Sequence, residues 1–183
     1  MENIIIYLIG FAGVGKLTVA RELVKQTGAR LVDNHVIANP IFSVRQHFPS
    51  AFDAKRLEYL VKVRNIVFEA MVDLAEPEAS FVLTNVLYDG ENDWYEPVLE
   101  AAKKRNSGFF PVILKCSMEE NKKRIVAEGR KENFKTVKPS VVDEACKIGI
   151  IQFDHPNKLE IDTTNLSPAR TAEMILEHIQ KMK

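Results

Sequence analysis

The sequence is poor in the features that mark secreted, membrane and nucleic-acid-binding proteins. It has only two cysteines in 183 residues, Cys116 and Cys146, and their spacing fits no metal-ligand motif, so we expect two reduced thiols. No apolar run approaches the roughly 20 residues that a membrane-spanning helix needs. Lys plus Arg and Asp plus Glu number 25 each, so the net charge is zero and a nucleic-acid partner is not expected.

The first apolar run, residues 4–9, lacks the surroundings of a secretory signal. Glu2 precedes it, where a signal would carry basic residues, and no small-residue cleavage site follows before Lys16. We therefore expect a cytoplasmic protein without membrane association.

Five short apolar segments alternate with segments of helical periodicity. The first is a continuous β-branched run, which is typical of a strand buried on both faces of a parallel sheet. The predicted strands cover residues 4–9, 29–33, 80–87, 108–116 and 157–164. This alternation predicts an α/β fold with helices on both faces of the sheet. Without a repeat or linker, the chain is predicted to be one domain, 1–183.

A glycine-rich stretch, GFAGVGKLT, follows the first strand at residues 10–18 and is here called the phosphate loop. The general motif is G-x-x-x-x-G-K-[ST], but Leu17 replaces the hydroxyl residue, which comes one position later at Thr18. Between a strand and a helix, such a loop surrounds an anion with backbone N–H groups, and Lys16 reaches the phosphates. The predicted nucleotide contacts are Gly10, Ala12, Gly13, Val14, Gly15, Lys16, Leu17 and Thr18.

The phosphate loop resembles the adenylate-kinase type, G-x-x-G-x-G-K-G-T, and departs from it at Leu17. The order of elements resembles the small P-loop kinases, namely adenylate, shikimate and gluconate kinases and chloramphenicol phosphotransferase. The resemblance implies a three-layer P-loop NTPase fold, with a five-stranded parallel sheet in the order 2-3-1-4-5 and a small lid. It also implies ATP and Mg²⁺, with the metal held through waters and substrate phosphates because Leu17 has no hydroxyl.

Candidate acceptor residues follow the second and third strands. Ligands of an open parallel sheet bind beyond the carboxyl ends of its strands. Asp33, which ends the second strand, orients an acceptor hydroxyl, holds a metal-bound water, or only caps the next segment. Asn85 is a candidate acceptor ligand, and Asp89 is a candidate for water-mediated metal binding.

Arg64 is the unusual residue of a predicted helix at 53–75, within an acceptor-binding insert of about 34–76 that has prolines at 40 and 49. It falls in the middle of a broad apolar stripe. An arginine directed at the core is costly unless it meets an anion. Arg64 therefore either clamps an acidic or phosphorylated acceptor, forms an ion pair such as one with Asp33, or reaches solvent.

A basic segment follows the fourth strand, with eight basic and four acidic residues from 115 to 138. The resemblance implies a mobile lid at about 118–140, with Arg124 over adenine or phosphate and Arg130 on the transferring group. It also implies that Thr164, in the run DTTN, lies where related kinases wrap the adenine.

These residues predict a phosphotransferase that moves the γ-phosphate of ATP to a small-molecule acceptor, with Lys16, Asp33 and Arg130 as catalytic residues. One alternative is a nucleotide-binding regulatory module with little transfer, which Leu17 suggests. Another is a kinase acting on nucleotides or nucleic-acid ends, against which the neutral charge argues. We expect a monomer or weak dimer; the acceptor and the choice between ATP and GTP stay open.

Overall fold

The strands form one parallel sheet in the computed structural model, which describes residues 2–44, 54–127 and 137–182. The strands are β1 Ile4–Ile9, β2 Arg30–Asp33, β3 Phe81–Asn85, β4 Gly108–Lys115 and β5 Leu159–Asp162. Their order is β2-β3-β1-β4-β5, and all neighbouring pairs are parallel. The predicted fold class and strand order are therefore confirmed, and β1 lies at the centre of the sheet.

Helices cover both faces of this sheet. They are α1 Lys16–Thr27, α2 Asn34–Val44, α3 Ala54–Asp73, α4 Asn92–Lys104, α5 Met118–Ile125, α6 Ser140–Ile148 and α7 Pro168–Met182. Within the described ranges, no helix combines the length and the apolar character needed to cross a bilayer.

The central strand β1 explains the continuous apolar run, because each of its faces belongs to a separate core. Alternate residues Ile4, Ile6 and Leu8 join the core formed with α1 and α7. The intervening residues Ile5, Tyr7 and Ile9 join the core formed with α3 and α4. All six side chains are at most 1% exposed. The polar Tyr7 thus points into the α3–α4 face, where it becomes part of the site described below.

Helix α1 begins and ends at glycines. Gly15 is its N-cap residue, with φ 96° and ψ 10°, and Gly28 is its C-cap residue, with φ 71°. The Gly28 amide donates to the Val24 carbonyl at 2.8 Å, which closes the last turn. Helix α1 therefore runs between these two glycines.

The insert contains a helix that the sequence analysis did not predict. Asn34–Val44 is helical although Pro40 lies inside it, and proline removes a helical hydrogen bond at a cost of about 3 kcal/mol. Burial of Ile37 and Ala38, together with packing of α2 against α3, offsets this cost. Helix α3 spans Ala54–Asp73, close to the predicted 53–75.

Replacing Leu23 by alanine tests the packing of α1, the helix that follows the phosphate loop. Leu23 is 0% exposed, so we expect Leu23→Ala to lower the free energy of unfolding by about 2–5 kcal/mol in urea titrations. Leu74→Ala is the control; Leu74 is 81% exposed, and a change within about 0.5 kcal/mol is expected. Equal losses in the two variants would contradict the described packing.

Candidate active site at the carboxyl edge of the sheet

The phosphate loop has a backbone shape that requires glycine. Gly13 and Gly15 have φ values of 95° and 96°, a region that side chains disfavour. A Cβ atom on Gly10 would lie 2.5 Å from the Leu114 carbonyl oxygen, and one on Gly13 would overlap Asn121 Oδ1. The inner surface of the loop is therefore made of main chain.

The amides at the start of α1 make this loop suited to an anion. The Val19 amide donates to the Gly15 carbonyl at 3.0 Å and so makes the first helical hydrogen bond. The preceding amides of the first turn have no helical acceptor. No acidic residue lies in that turn to oppose the partial positive charge of the helix N-terminus. This geometry fits a phosphate group.

Lys16 adds its ammonium group to the same place. Its Nζ donates to the carbonyl oxygens of Gly10 at 2.7 Å and of Phe11 at 2.9 Å. The charge therefore lies against the phosphate loop, close to the amides that would bind phosphate.

Leu17 lacks the side-chain hydroxyl with which the residue after the lysine binds a metal in the usual motif. Leu17 is half-buried and Thr18 is exposed, whereas the buried face of α1 is formed by Val19, Ala20 and Leu23. Across residues 2–44, 54–127 and 137–182, no group of three or more His, Cys, Asp or Glu side chains is arranged to hold a metal ion. The site thus fits phosphate better than it fits a directly ligated metal.

Asp33 is held at the carboxyl end of β2 by Thr84 on β3. The two residues are paired in the sheet and are 6% and 4% exposed. The Thr84 hydroxyl donates to Asp33 Oδ1 and accepts from the Asn34 amide at 3.3 Å. One carboxylate oxygen of Asp33 therefore has a defined position at the edge where ligands bind.

Arg64 is a buried positive charge on α3. It is 4% exposed, and its guanidinium lies 3.9 Å from the centre of the Trp94 ring and 5.9 Å from that of Phe68. Burial lowers the pKa of Arg64, whereas the nearby Tyr7 acts in the opposite direction. Within the described residues its Nε and Nη1 have no hydrogen-bond partner, and it forms no ion pair with Asp33.

The Asn85 side chain makes hydrogen bonds within the protein at the carboxyl end of β3. Its Nδ2 donates to the Tyr7 hydroxyl at 3.0 Å, and its Oδ1 accepts from the Val86 amide at 2.9 Å. Burial raises the pKa of Tyr7, so its hydroxyl stays protonated and can donate in turn to the Trp94 carbonyl at 3.4 Å. A role for Asn85 in acceptor binding stays a prediction.

Arg124 and Thr164, predicted from the resemblance, lie together beside the phosphate loop. Arg124 Nη2 is 3.3 Å from the Thr164 carbonyl oxygen. Thr164 Oγ1 accepts from the Ser117 amide at 2.8 Å. Asp89 is exposed, and its amide donates to Gly149 at 3.2 Å, which leaves its metal role a prediction. Arg130 lies outside the described residues.

Known structures place this arrangement in context. No protein-family model matches the sequence, and no curated protein matches it. A gluconokinase from Sinorhizobium meliloti is 13% identical, with a TM-score of 0.66 over 98% of this chain and 93% of its own. A shikimate kinase from Acinetobacter baumannii in complex with shikimate is 21% identical, with a TM-score of 0.59 over 98% and 94% of the two chains.

An APS kinase from Mycobacterium tuberculosis in complex with AMPPNP and APS is 16% identical, with a TM-score of 0.60 over 98% of each chain. The chain has the fold of the small P-loop kinases. The low identities show the fold alone, so the roles of single residues depend on the geometry of this chain.

Four further residues of this P-loop kinase fold were not singled out as site residues by the sequence analysis. They are Thr84, Trp94, Asn121 and Thr163. Asn121 and Thr163 are each 2% exposed. Whether such polar side chains are buried depends on how the helices pack against the strands. Trp94 is the only tryptophan of the sequence, and this rarity is the one sequence feature that marks it as a candidate site residue.

Gly13→Ala tests the shape of the phosphate loop. A side chain in the left-handed region costs about 1–2 kcal/mol, and the overlap with Asn121 adds about 1–3 kcal/mol. Gly90→Ala is the matched control, because Gly90 has φ 83° but nothing within 4 Å of a Cβ. We expect the larger loss of unfolding free energy for Gly13→Ala in urea titrations. Equal losses would argue against contact between the phosphate loop and α5.

Proposed function

We propose that this protein is an ATP-dependent phosphotransferase that acts on a small acidic or phosphorylated molecule. The observation that carries the proposal is the phosphate loop, whose left-handed glycines and the helix N-terminus that follows them lie at the carboxyl end of the central strand. Asp33 and Arg64 lie toward the β2 and α3 side, on which an acceptor would approach. The gluconokinase, shikimate kinase and APS kinase folds support the same reaction class.

The donor side would bind the triphosphate mainly through backbone groups. The amides that begin α1 and the positive end of the helix hold phosphate oxygens. The Lys16 ammonium exchanges the carbonyls of Gly10 and Phe11 for the β- and γ-phosphates. Transfer spreads negative charge over the γ-phosphoryl oxygens, and Lys16 stabilises that charge.

Magnesium would reach the site mainly with the nucleotide. Leu17 offers no hydroxyl to the metal. The residues available to it are Asp33, which ends β2, and Asp89, which follows β3, both through water. Bound Mg²⁺ would neutralise charge on the phosphates.

On the acceptor side, Asp33 orients the hydroxyl that attacks. Thr84 holds Oδ1 of Asp33, so the carboxylate meets the acceptor in a set position without reorganisation. The acceptor oxygen bonds to the γ-phosphorus as the bond to the bridging oxygen of ADP breaks, and the hydroxyl proton passes to Asp33. A contact of Arg130 with the transferring phosphoryl group, which the resemblance to small P-loop kinases implies, stays a prediction.

Arg64 selects the class of acceptor. A buried guanidinium that forms no ion pair with a described carboxylate is costly, and an anionic group on the acceptor would relieve that cost. The Trp94 ring holds the guanidinium by stacking, which leaves the donor edges for the acceptor.

Lys16→Ala tests the transfer reaction. We expect turnover to fall by at least about a hundredfold, because one preorganised charge on the phosphoryl group is lost. Lys25→Ala removes a positive charge from the exposed side of the same helix and should leave turnover unchanged. ATP consumption would be followed with pooled hydroxy acids, including gluconate and shikimate. Persistent turnover in Lys16→Ala would contradict the proposal.

Wild-type protein that binds ATP but never exceeds the enzyme-free rate would indicate the regulatory module instead.

Arg64→Met tests the acceptor site, because the substitution should weaken acceptor binding without lowering the stability of the fold. Removing this buried charge, whose Nε and Nη1 have no hydrogen-bond partner among the described residues, should leave the free energy of unfolding unchanged or raise it by about 1–4 kcal/mol, while the acceptor KM rises at least tenfold. Arg105→Met is the control: Arg105 donates to the carbonyls of Met71, Glu76 and Ala79, so its loss should destabilise the fold by about 1–3 kcal/mol. Destabilisation of Arg64→Met with an unchanged KM would assign Arg64 to the fold.

A further inference from the structure

Helix α5 touches the phosphate loop at Asn121. Asn121 is 2% exposed, and its Oδ1 fills the space that a side chain on Gly13 would need. Within the described residues this oxygen has no hydrogen-bond partner. An unpaired buried amide oxygen costs about 1–3 kcal/mol, so Asn121 is not a residue that stability alone would favour at this position.

Arg124 lies one turn further along α5 and has its guanidinium engaged with the protein. Its Nε donates to Glu120 at 2.8 Å. Its Nη1 is 3.1 Å from Thr163 Oγ1 and 3.4 Å from the Val14 carbonyl oxygen, and its Nη2 is 2.9 Å from the Thr163 carbonyl oxygen. With the contact to Thr164, the five N–H groups of the arginine face five protein acceptors. The donor groups of the guanidinium are therefore all directed at protein acceptors.

Thr163 connects the phosphate loop, the end of β4 and the turn after β5. It is 2% exposed, and its Oγ1 lies 3.2 Å from the Val14 carbonyl oxygen and 3.0 Å from that of Lys115. Val14 belongs to the phosphate loop, Lys115 ends β4, and Thr163 follows β5. The carbonyl of Val14 is thus bound from α5 and from the turn after β5.

We propose that Asn121 and Arg124 are positioning residues that hold the phosphate loop in its phosphate-binding shape. Asn121 confines Gly13, and Arg124 ties Val14 to the turn after β5. In this role Arg124 acts through protein contacts, in place of the predicted position over adenine or phosphate. The inference rests on the proposed function, because it presumes that the loop binds a triphosphate. Amides held in place beforehand bind charge without a cost of reorganisation.

The test compares two probes by calorimetry, ATP and inorganic tripolyphosphate, the second of which has no base. For Arg124→Ala we expect both affinities to fall by the same factor, about tenfold or more, since charged hydrogen bonds to the loop are lost. A fall for ATP alone would place Arg124 on the base and overturn the inference.

Arg124→Lys separates positioning from charge. Lysine keeps the positive charge but cannot supply five donors in a fixed plane, so its affinities should fall as far as those of the alanine variant. Recovery of both affinities in Arg124→Lys would mean that the charge alone acts and would overturn the inference. Lys123→Ala removes a charge from the exposed face of α5 and should change neither affinity by more than about twofold.

Asn121→Ala provides a second variant that keeps all charges. It should weaken ATP and tripolyphosphate equally while the free energy of unfolding changes little, because the lost packing is offset by removal of an unpaired oxygen. Unchanged affinities with a lowered free energy of unfolding would show a role in the fold only. Wild-type protein that binds neither probe would overturn the proposed function itself, which is a different result from any of these.

Discussion

The rest of the site depends on a backbone conformation at two glycines. Gly13 and Gly15 lie in the left-handed region, which turns the chain out of β1 and into α1 within a few residues. That turn brings the first amides of α1 to the mouth of the central strand, where buried cores on both faces of the sheet keep β1 in place. The attraction for phosphate is therefore a property of the main chain, and Lys16 adds charge to it.

Two positive charges divide the site into donor and acceptor sides. Lys16 lies on the phosphate loop and would meet the phosphates, whereas Arg64 lies in the α3–α4 face among aromatic rings. The alternation of β1 separates them, because Tyr7 and its odd-numbered neighbours point to the Arg64 face. Asp33 lies at the same edge of the sheet, two strands away from the loop. A donor and an acceptor can thus approach each other across the ends of β1 and β3.

A polar network joins the phosphate loop to α5 and to the turn after β5, in addition to the apolar packing of Val14 in the core. Arg124 and Thr163 both approach the carbonyl of Val14, and Asn121 fills the space beside Gly13. Such a network has defined directions, so it specifies the shape of a loop more sharply than apolar contacts do. Its members come from the phosphate loop, α5 and the turn after β5, which lie far apart in the sequence.

Local sequence determined most of the architecture: the apolar run of β1, the phosphate loop, the glycine ends of α1 and the alternation that predicts a parallel sheet. These features depend on residues that are neighbours in the chain, as does the prediction that Arg64 faces the core. Only the tertiary structure decided that α2 is helical despite Pro40, that Arg64 stacks on Trp94, that Thr84 holds Asp33 and that Arg124 is bound by protein groups. Each of these outcomes depends on contacts between segments distant in sequence, whose energies a local pattern does not contain.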